Sequence, residues 1–289
     1  MSQAKGLRVG LVGSFICTLL VGCTTDDVSE PAPTPDDIEL YLIPDAAFGE
    51  YLLYREIPGI QAIEEEGETQ YYIDVNLVDG VSELSLSKTS SSVETLSEAG
   101  VVTAETKITD LDGIQHFVNL QVLKLTSNAL TQLDTSALTK LTTLELNFNL
   151  IGSFDLTQNT ALERFRFKAS SNADDSQKIS SIDLSGNPNL RHLYLPRHNL
   201  VSIDLSNNPL IDDTLDLSEN PGPDGDPATE DIVVPDAIFQ QVPDDSRAGV
   251  VSDAAVEVMV SIGLDQAVVE EAGGTAVITA TLNTTSVVP

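Results

Sequence analysis

Residues 120–149 read LQVLKLTSNALTQLDTSALTKLTTLELNFN, and this stretch contains one short pattern twice. The pattern is L-x-x-L-x-L-x-x-N, and its second copy begins 21 residues after the first. Three further copies follow at spacings of 21, 28 and 22 residues, with some substitutions. A repeat of this length is typical of chains that fold as stacked coils. The fourth residue of each copy, which we expect to point inward, is Leu123, Leu144, Phe165, Leu193 and Leu215.

A second series of apolar–Asp pairs lies between the copies of the first, at spacings of 21, 28 and 21 residues. Its members are Leu133-Asp134, Phe154-Asp155, Ile182-Asp183 and Ile203-Asp204. Both series lengthen by seven residues in the same interval, so the polar run Ser170–Gln177 is predicted to be an insertion. Each coil then has two extended stretches whose apolar side chains are buried only by neighbouring coils. The recurring asparagine is predicted to turn its amide inward and satisfy backbone groups at the bend.

The two-part repeat resembles the leucine-rich repeat family, in particular the 21-residue form of bacterial surface proteins, over residues 108–221. The resemblance implies a mainly β or α+β fold, a horseshoe-shaped solenoid. Residues 38–107 are predicted to form an N-terminal cap and an atypical first coil at Val81–Leu86. The segment Tyr41–Tyr54 carries I-P-D-x-x-F, which resembles the helical cap of these proteins, and Pro44 suits the start of a helix.

The composition changes after the last copy of the repeat. Residues 222–255 begin with a run rich in Pro, Gly and Asp that predicts a linker. Val234–Phe239 then echoes the I-P-D motif, and is predicted to be a second capping helix or the vestige of another repeat block. Residues 256–289 alternate as β-strands do and resemble the opening of a Calx-beta or immunoglobulin-like sandwich. Such a sandwich needs about 100 residues, so we expect a partial β-sandwich segment.

The N-terminus has the composition of an export signal. Lys5 and Arg8 precede an apolar segment at 9–21 that is too short for a comfortable transmembrane helix. The segment ends in Leu20-Val21-Gly22-Cys23, which resembles the lipobox of bacterial lipoproteins. The resemblance implies that residues 1–22 are a removable signal peptide and that Cys23 carries the lipid. An ordinary signal peptide with an incidental cysteine is the alternative.

Residues 23–37 are polar, acidic and Pro-spaced, so we expect a disordered linker between the lipid and the folded part. Asp26 and Asp27 resemble the acidic tract that sends some lipoproteins to the outer face of the cell. We therefore expect an exported lipoprotein, held in the outer membrane by its lipid anchor only and facing the cell surface.

Charge and composition exclude several classes of function. The formal charge is -31, which disfavours nucleic acid as a partner because phosphate contacts need surplus cations. Both cysteines lie in the first 23 residues, so nothing downstream can form a disulfide framework or a thiolate metal site. The chain has no G-x-S-x-G, no H-E-x-x-H and no phosphate-binding glycine loop. We therefore expect a protein that is not an enzyme and that needs no cofactor.

The candidate binding residues follow from the strand pattern. Side chains on either side of each inward residue face outward, on the expected concave surface of the horseshoe. The candidates on that surface are Lys124, Glu145, Arg164, Arg166, Lys168, His192 and Tyr194. The third strand is basic at all its outward positions, and arginine suits planar carboxylate, phosphate or sulfate groups. We therefore expect a protein or glycan ligand, with an anionic ligand favoured by these arginines.

The alternative reading of this basic strand is that its arginines pair with surrounding acids, including Asp174 and Asp175 of the insertion. One detail favours function: the recurring asparagine is missing here, being replaced by Ser170 and His198. Breaks in local consistency tend to occur at functional sites.

Carboxylates suggest two further features. Asp134, Asp155, Asp183 and Asp204 are predicted to form a column that is either hydrogen-bonded to loop N–H groups or bridged by a cation. Calcium prefers several oxygen ligands on flexible loops. The candidate calcium ligands are Asp224, Asp226, Glu270 and Glu271.

Three functions fit these observations. The first is a non-enzymatic surface lipoprotein that uses the concave face for adhesion or recognition. The second is a targeting or spacer module of a larger exported enzyme or adhesin. The third is a structural envelope protein, in which neutralising the basic strand changes no binding. The residues leave the ligand and the oligomeric state open.

Overall fold

The computed structural model describes residues 39–88, 106–223, 225, 227 and 232–253. Several sequence predictions fall outside the described residues: the signal peptide, the linker, the Calx-beta-like segment, Cys23, Asp224, Asp226, Glu270 and Glu271. Among the described residues, no helix has the length and apolar character that crossing a membrane requires.

The chain begins with a three-stranded antiparallel sheet and one helix. The elements are β1 (Leu40–Ile43), α1 (Ala46–Tyr54), β2 (Ile60–Glu65) and β3 (Glu68–Asp74), with β3 in the centre of the sheet. β2 and β3 form a hairpin that turns at Glu66 and Gly67, whose φ angles are 54° and 88°. Two consecutive left-handed residues are what a type I′ hairpin turn requires. This hairpin was not predicted from the sequence.

Helix α1 packs directly against the repeats. Its residues Phe48, Tyr51 and Leu52 are fully buried and belong to the same apolar cluster as the leucines of the coils. Asp45 caps the helix, because its carboxylate accepts a hydrogen bond from the Phe48 N–H at 2.9 Å. The same carboxylate also accepts two backbone N–H bonds and one hydroxyl bond from Thr109 and Asp110, at 2.7, 3.0 and 2.8 Å. One side chain thus ties the start of the helix to the start of the regular coils.

The coils form a seven-stranded parallel sheet that confirms the predicted solenoid. Its strands are β4 (Glu83–Ser85), β5 (Val122–Lys124), β6 (Thr143–Glu145), β7 (Arg164–Arg166), β8 (His192–Tyr194), β9 (Thr214–Asp216) and β11 (Arg247–Ala248). The central residues of the first six strands are paired in register and are at most 1% exposed. They are Leu84, Leu123, Leu144, Phe165, Leu193 and Leu215. The atypical first coil predicted at Val81–Leu86 contributes β4 as the first strand of this sheet.

The predicted insertion lies between β7 and β8 and does not disturb their pairing. Arg164 remains opposite His192, as the register of a regular coil requires. The insertion contains a one-turn 3-10 helix at Asp175–Gln177, which Asp174 caps. It packs closely on the preceding coil, since a Cβ added at Gly152 would lie 2.1 Å from the Ser176 carbonyl oxygen.

The repeat asparagines turn inward as predicted. Asn149 accepts a hydrogen bond from the Leu130 N–H at 3.2 Å and donates to the Leu125 and Leu146 carbonyls at 2.9 and 2.8 Å. Asn128 and Asn220 make the same three contacts in their own coils. All three asparagines are at most 1% exposed, so each amide satisfies backbone groups that water does not reach.

A second buried asparagine ladder was not predicted, although its spacing is in the sequence. Asn159, Asn187 and Asn208 are fully buried, and follow one another at 28 and 21 residues. Each side-chain amide donates to two carbonyls of the preceding coil that are three residues apart; for Asn208 these are the Leu184 and Asn187 carbonyls, both at 3.0 Å. The bends on both sides of the coil are therefore held by amide side chains.

The last described segment adds one strand to the solenoid. It comprises β10 (Ile232–Val234), α2 (Asp236–Gln241), β11 and β12 (Val250–Ser252). β11 pairs parallel to β9, and β10 pairs parallel to β12 in a separate two-stranded sheet. The echo of the I-P-D motif folds again as strand, proline and helix, and Ile238 of α2 is buried in the common core.

Candidate binding face

The outward side chains of the sheet lie in two rows that cross the coils. One row contains Glu83, Val122, Thr143, Arg164, His192 and Thr214, and the other contains Ser85, Lys124, Glu145, Arg166, Tyr194 and Asp216. We call these two rows, with Lys168 directly after β7, the sheet face. The predicted candidates are therefore neighbours on one surface, because parallel strands in register place equivalent residues about 4.8 Å apart.

Arg164 is held by neighbours on the sheet face. Its guanidinium donates to Asp213 at 2.8 Å and to the His192 Nδ1 at 2.9 Å. Asp213 immediately precedes β9, two coils further along the chain. Arg164 therefore has an acidic partner, although this partner is not one of the insertion acids that the sequence suggested.

Three other cations of this region also have acidic partners. Arg191 contacts Asp212 through two hydrogen bonds of 2.9 and 2.6 Å, and Arg197 contacts Glu219 at 2.8 Å. Lys178 lies 3.9 Å from Asp175, the one pair that involves the insertion as predicted. Pairing thus accounts for much of the basic cluster.

Arg166 and Lys168 differ from these four cations. Neither has a carboxylate within ion-pair distance among the residues that the structure describes. The Arg166 guanidinium lies over the Tyr194 ring, 4.8 Å from its centroid. Stacking of this kind orders an arginine without neutralising it. The positive charge of the sheet face that forms no described ion pair is therefore at Arg166 and Lys168, on a chain of formal charge -31.

His192 is close to both Arg164 and Arg166 and is only 6% exposed. Because its Nδ1 accepts from Arg164, the ring is neutral and its proton is on Nε2. Burial, followed by the charges of Arg164 and Arg166, lowers the pKa of His192 to about 4. The ring therefore stays neutral near pH 7 and presents an N–H donor.

A polar cleft of about 360 Å³ opens beside this group, where Arg164 and His192 meet the edge of the sheet. Its remaining lining residues are Thr143, Glu163, Arg191, Asp212 and Asp213. Acids and bases alternate around the opening, so the cleft holds charge of both signs and has little apolar surface.

An exposed aromatic ring borders the sheet face. Phe148 follows β6 by three residues, is 40% exposed and has a φ angle of 61°. Its backbone N–H donates to the Lys168 carbonyl at 2.8 Å, which places it beside the unpaired lysine. Equivalent positions in other coils have similar φ angles but carry polar residues, namely Ser127, Arg197 and Glu219. A bulky residue in this conformation is strained.

The remaining predicted candidates lie on the earlier coils. Lys124 approaches Glu83 at 4.0 Å, a contact at the limit of an ion pair. Glu145 is directly opposite Arg166 in the register of β6 and β7. These residues extend the sheet face toward the N-terminal side with alternating charge.

The missing repeat asparagine does not mark a functional site at His198. His198 is 2% exposed and replaces the asparagine in the ladder. Its Nδ1 accepts from the Ile179 N–H at 3.3 Å, and its Nε2 donates to the Phe167 carbonyl at 2.7 Å. The imidazole therefore bonds the same kinds of backbone group as Asn149 does, and the argument for function from this position was wrong.

The column of aspartates bonds to loop N–H groups. Each carboxylate accepts the backbone N–H two residues later at 2.8–2.9 Å, as Asp134 does from Ser136. For Asp134 and Asp183 the serine side chain is the larger cause of a lowered pKa, and for Asp155 and Asp204 the backbone bond is. Among the described residues, no group of three His, Cys, Asp or Glu side chains is arranged to hold a metal ion.

No protein-family model and no curated protein matches the chain. Two solved structures from Listeria monocytogenes are similar to it. The functional domain of InlJ, described as including a cysteine ladder, is 25% identical with a TM-score of 0.43 over 60% of this chain. The internalin InlF is 19% identical with a TM-score of 0.36 over 61% of this chain. The matched parts cover 32% and 49% of those two chains.

Proposed function

We propose that this protein is a non-enzymatic, surface-exposed lipoprotein that recognises a protein ligand through the sheet face. The observation that supports this most is the pair of cations Arg166 and Lys168, which have no acidic partner among the described residues. Local positive charge on a strongly acidic chain attracts ligands of opposite sign to one place. Phe148 adds apolar surface next to it.

The surface location rests on the lipobox-like segment that ends in Cys23. A lipid there, followed by a polar linker, would place the solenoid outside the bilayer with the sheet face accessible. Stable anchoring needs more than one acyl chain, which lipoprotein-type modification of a single cysteine supplies.

The first test reverses charge on the sheet face and leaves its structure intact. Arg164 is a poor choice, because Asp213 and His192 depend on it. The double variant Arg166→Glu/Lys168→Glu is preferable, since neither residue forms an ion pair within the described part of the chain. Arg55→Glu/Lys140→Glu is the matched control, because both residues are exposed, lie outside the sheet face and change the net charge equally.

Whole chains on beads are incubated with a biotinylated surface-protein fraction, and retained proteins are quantified by mass spectrometry. We expect ligands that bind the original chain and the control to be retained at least about tenfold less by the sheet-face variant. Retention of the same proteins by all three baits would contradict recognition through this face.

A further inference from the structure

Two buried nitrogen atoms on the sheet face have no hydrogen-bond partner among the described residues. They are the His192 Nε2 and the Arg166 Nε. Both are donors: the arginine always carries this proton, and the histidine carries it because its Nδ1 accepts from Arg164. Folded proteins rarely leave such groups unpaired, since each costs about 1–3 kcal/mol.

The two donors are close to each other. Arg166 and His192 are on adjacent paired strands, two residues out of register and on the same face of the sheet, and Arg166 is near enough to His192 to contribute to the low pKa of its ring. Arg164, which donates to the His192 Nδ1, is already bonded to Asp213. The two donors, Arg166 Nε–H and His192 Nε2–H, therefore lack a hydrogen-bond acceptor among the described residues. Because Arg166 is positively charged, a negatively charged oxygen would be the strongest acceptor.

The geometry of Arg166 favours a planar anion. Its guanidinium lies over the Tyr194 ring, and a guanidinium can offer two parallel N–H groups to a carboxylate. Both donors are below the surface, so the anion reaches them after a side-chain rotation. Arg166 and Tyr194 are only partly buried and can make this movement, which is common at interfaces.

The acidic residues around Arg166 favour a ligand with a single carboxylate over a polyanion. Glu145 and Asp216 are neighbours of the Arg166–Tyr194 pair in the same row of the sheet face. Asp212 and Asp213 line the cleft beyond it. A polymer with closely spaced negative charges would meet these acids, whereas a single acidic side chain with neutral or basic neighbours would not. Phe148 offers apolar contact to the rest of such a segment.

We propose that the sheet face binds one aspartate or glutamate side chain of a protein partner, with Arg166 and His192 as donors to its carboxylate. This inference rests on the proposed function and names the chemical group that is recognised. It assigns Arg166 the main contact, His192 a second donor and Tyr194 the role of positioning the guanidinium.

The test uses a small probe, N-acetyl-glutamate methylamide, with the glutamine analogue as its neutral counterpart. Binding to the whole chain is followed by NMR through the Arg166 Nε–H and the His192 Nε2–H resonances. We expect the glutamate probe to shift both resonances saturably and the glutamine probe to leave them unchanged. Equal responses to the two probes would overturn the carboxylate site.

Variants of Arg166 distinguish the paired N–H donors of its guanidinium from its positive charge alone. Arg166→Gln and Arg166→Lys should each lower the affinity for the glutamate probe at least about tenfold, because lysine keeps the charge but loses the parallel donors. Arg191→Gln is the matched control, since Arg191 lines the adjacent cleft and is bound to Asp212, and it should bind the probe as the original chain does. Unchanged affinity in Arg166→Gln would refute the assignment.

A second arm tests the class of partner. A heparin oligosaccharide should bind more weakly than a synthetic peptide with one glutamate among neutral residues. Tighter, Arg166-dependent binding of heparin would replace the protein partner by an acidic glycan and overturn this part of the proposal. If the sheet-face double variant loses its ligands while the probes give no response, the carboxylate inference fails but the proposed function stands.

Discussion

At the scale of single residues, His198 shows how a side chain can replace the repeat asparagine. An imidazole has one acceptor and one donor on opposite sides of the ring, which fits the Ile179 N–H and the Phe167 carbonyl only in the neutral form with the proton on Nε2. Burial is the main cause that lowers the pKa of His198 to about 4, and the nearby charge of Lys178 lowers it further. Protonation would put a second donor opposite the Ile179 N–H.

This arrangement predicts a stability that depends on pH. The folded-state pKa of His198 lies below the ordinary value of about 6.5, so the unfolded chain binds the proton more readily. The contribution of neutral His198 is present above about pH 6.5 and is lost as the pH falls toward 4, by on the order of 3 kcal/mol in total. Urea unfolding of the original chain and of His198→Asn at pH 7 and pH 5 measures this.

His198→Asn serves as the comparison because asparagine makes the equivalent contacts in neighbouring coils. We expect the variant to be about as stable as the original chain at pH 7 and to lose less stability on acidification. His192 and the aspartates titrate in both chains, so their effects cancel in the difference. Identical losses in the two chains would show that His198 does not titrate as described.

At the scale of elements, Asp45 connects the helix and the coils. Its carboxylate caps α1 at the Phe48 N–H and bonds Thr109 and Asp110 across 64 and 65 residues of chain. Asp45→Ala removes the cap and leaves the loop groups without their acceptor. We expect it to destabilise the protein by about 2–3 kcal/mol, measured by urea unfolding.

Asp236, which follows the proline in the second copy of the I-P-D motif, is the control. Its carboxylate accepts hydrogen bonds from Gln240 of α2 and from Ser252 of β12, four and 16 residues away, so its described bonds stay within the last segment. Asp236→Ala should cost less than half as much as Asp45→Ala. Equal costs would mean that Asp45 acts only as a local helix cap.

The predicted strands and the unpredicted hairpin show what local sequence conveys. Leucines such as Leu123 and Leu144 occur at a period that only a stack of coils buries, so β5 to β9 followed from spacing, whereas β4 was predicted only as an atypical first coil. The β2–β3 hairpin lacks such a signal, because glutamates at its tip obscure the alternation and only Glu66-Gly67 indicates a turn. β11 is two residues long and exists because β9 offers it an edge.

The sequence predicted which residues share the candidate site, but not which of them form ion pairs with each other. The strand period places Arg164, Arg166 and His192 on one face, because outward positions alternate with buried ones. Which acid meets Arg164 depends on the coil that carries Asp213, 49 residues away. That choice depends on side-chain packing that periodicity does not encode, and so does the contact of Arg166 with the Tyr194 ring.

At the scale of the whole molecule, the lipid that we propose at Cys23 would determine where the sheet face acts. Cys23→Ala should move the protein from the membrane fraction to the soluble exported fraction, detected by immunoblotting after cell fractionation. Cys17→Ala is the matched control, because that cysteine lies within the apolar segment before the lipobox-like sequence. Membrane association that persists in Cys23→Ala would contradict lipid anchoring at this residue.

The insertion at Ser170–Gln177 has a practical consequence for the solenoid. A coil with seven extra residues keeps β7 and β8 paired, because neighbouring coils depend on the strand and the bends rather than on the length between them. This segment is therefore a place where evolution or protein engineering can vary length at little cost. A peptide tag or a second recognition loop grafted there would stand beside the sheet face while the ladder below it stayed whole.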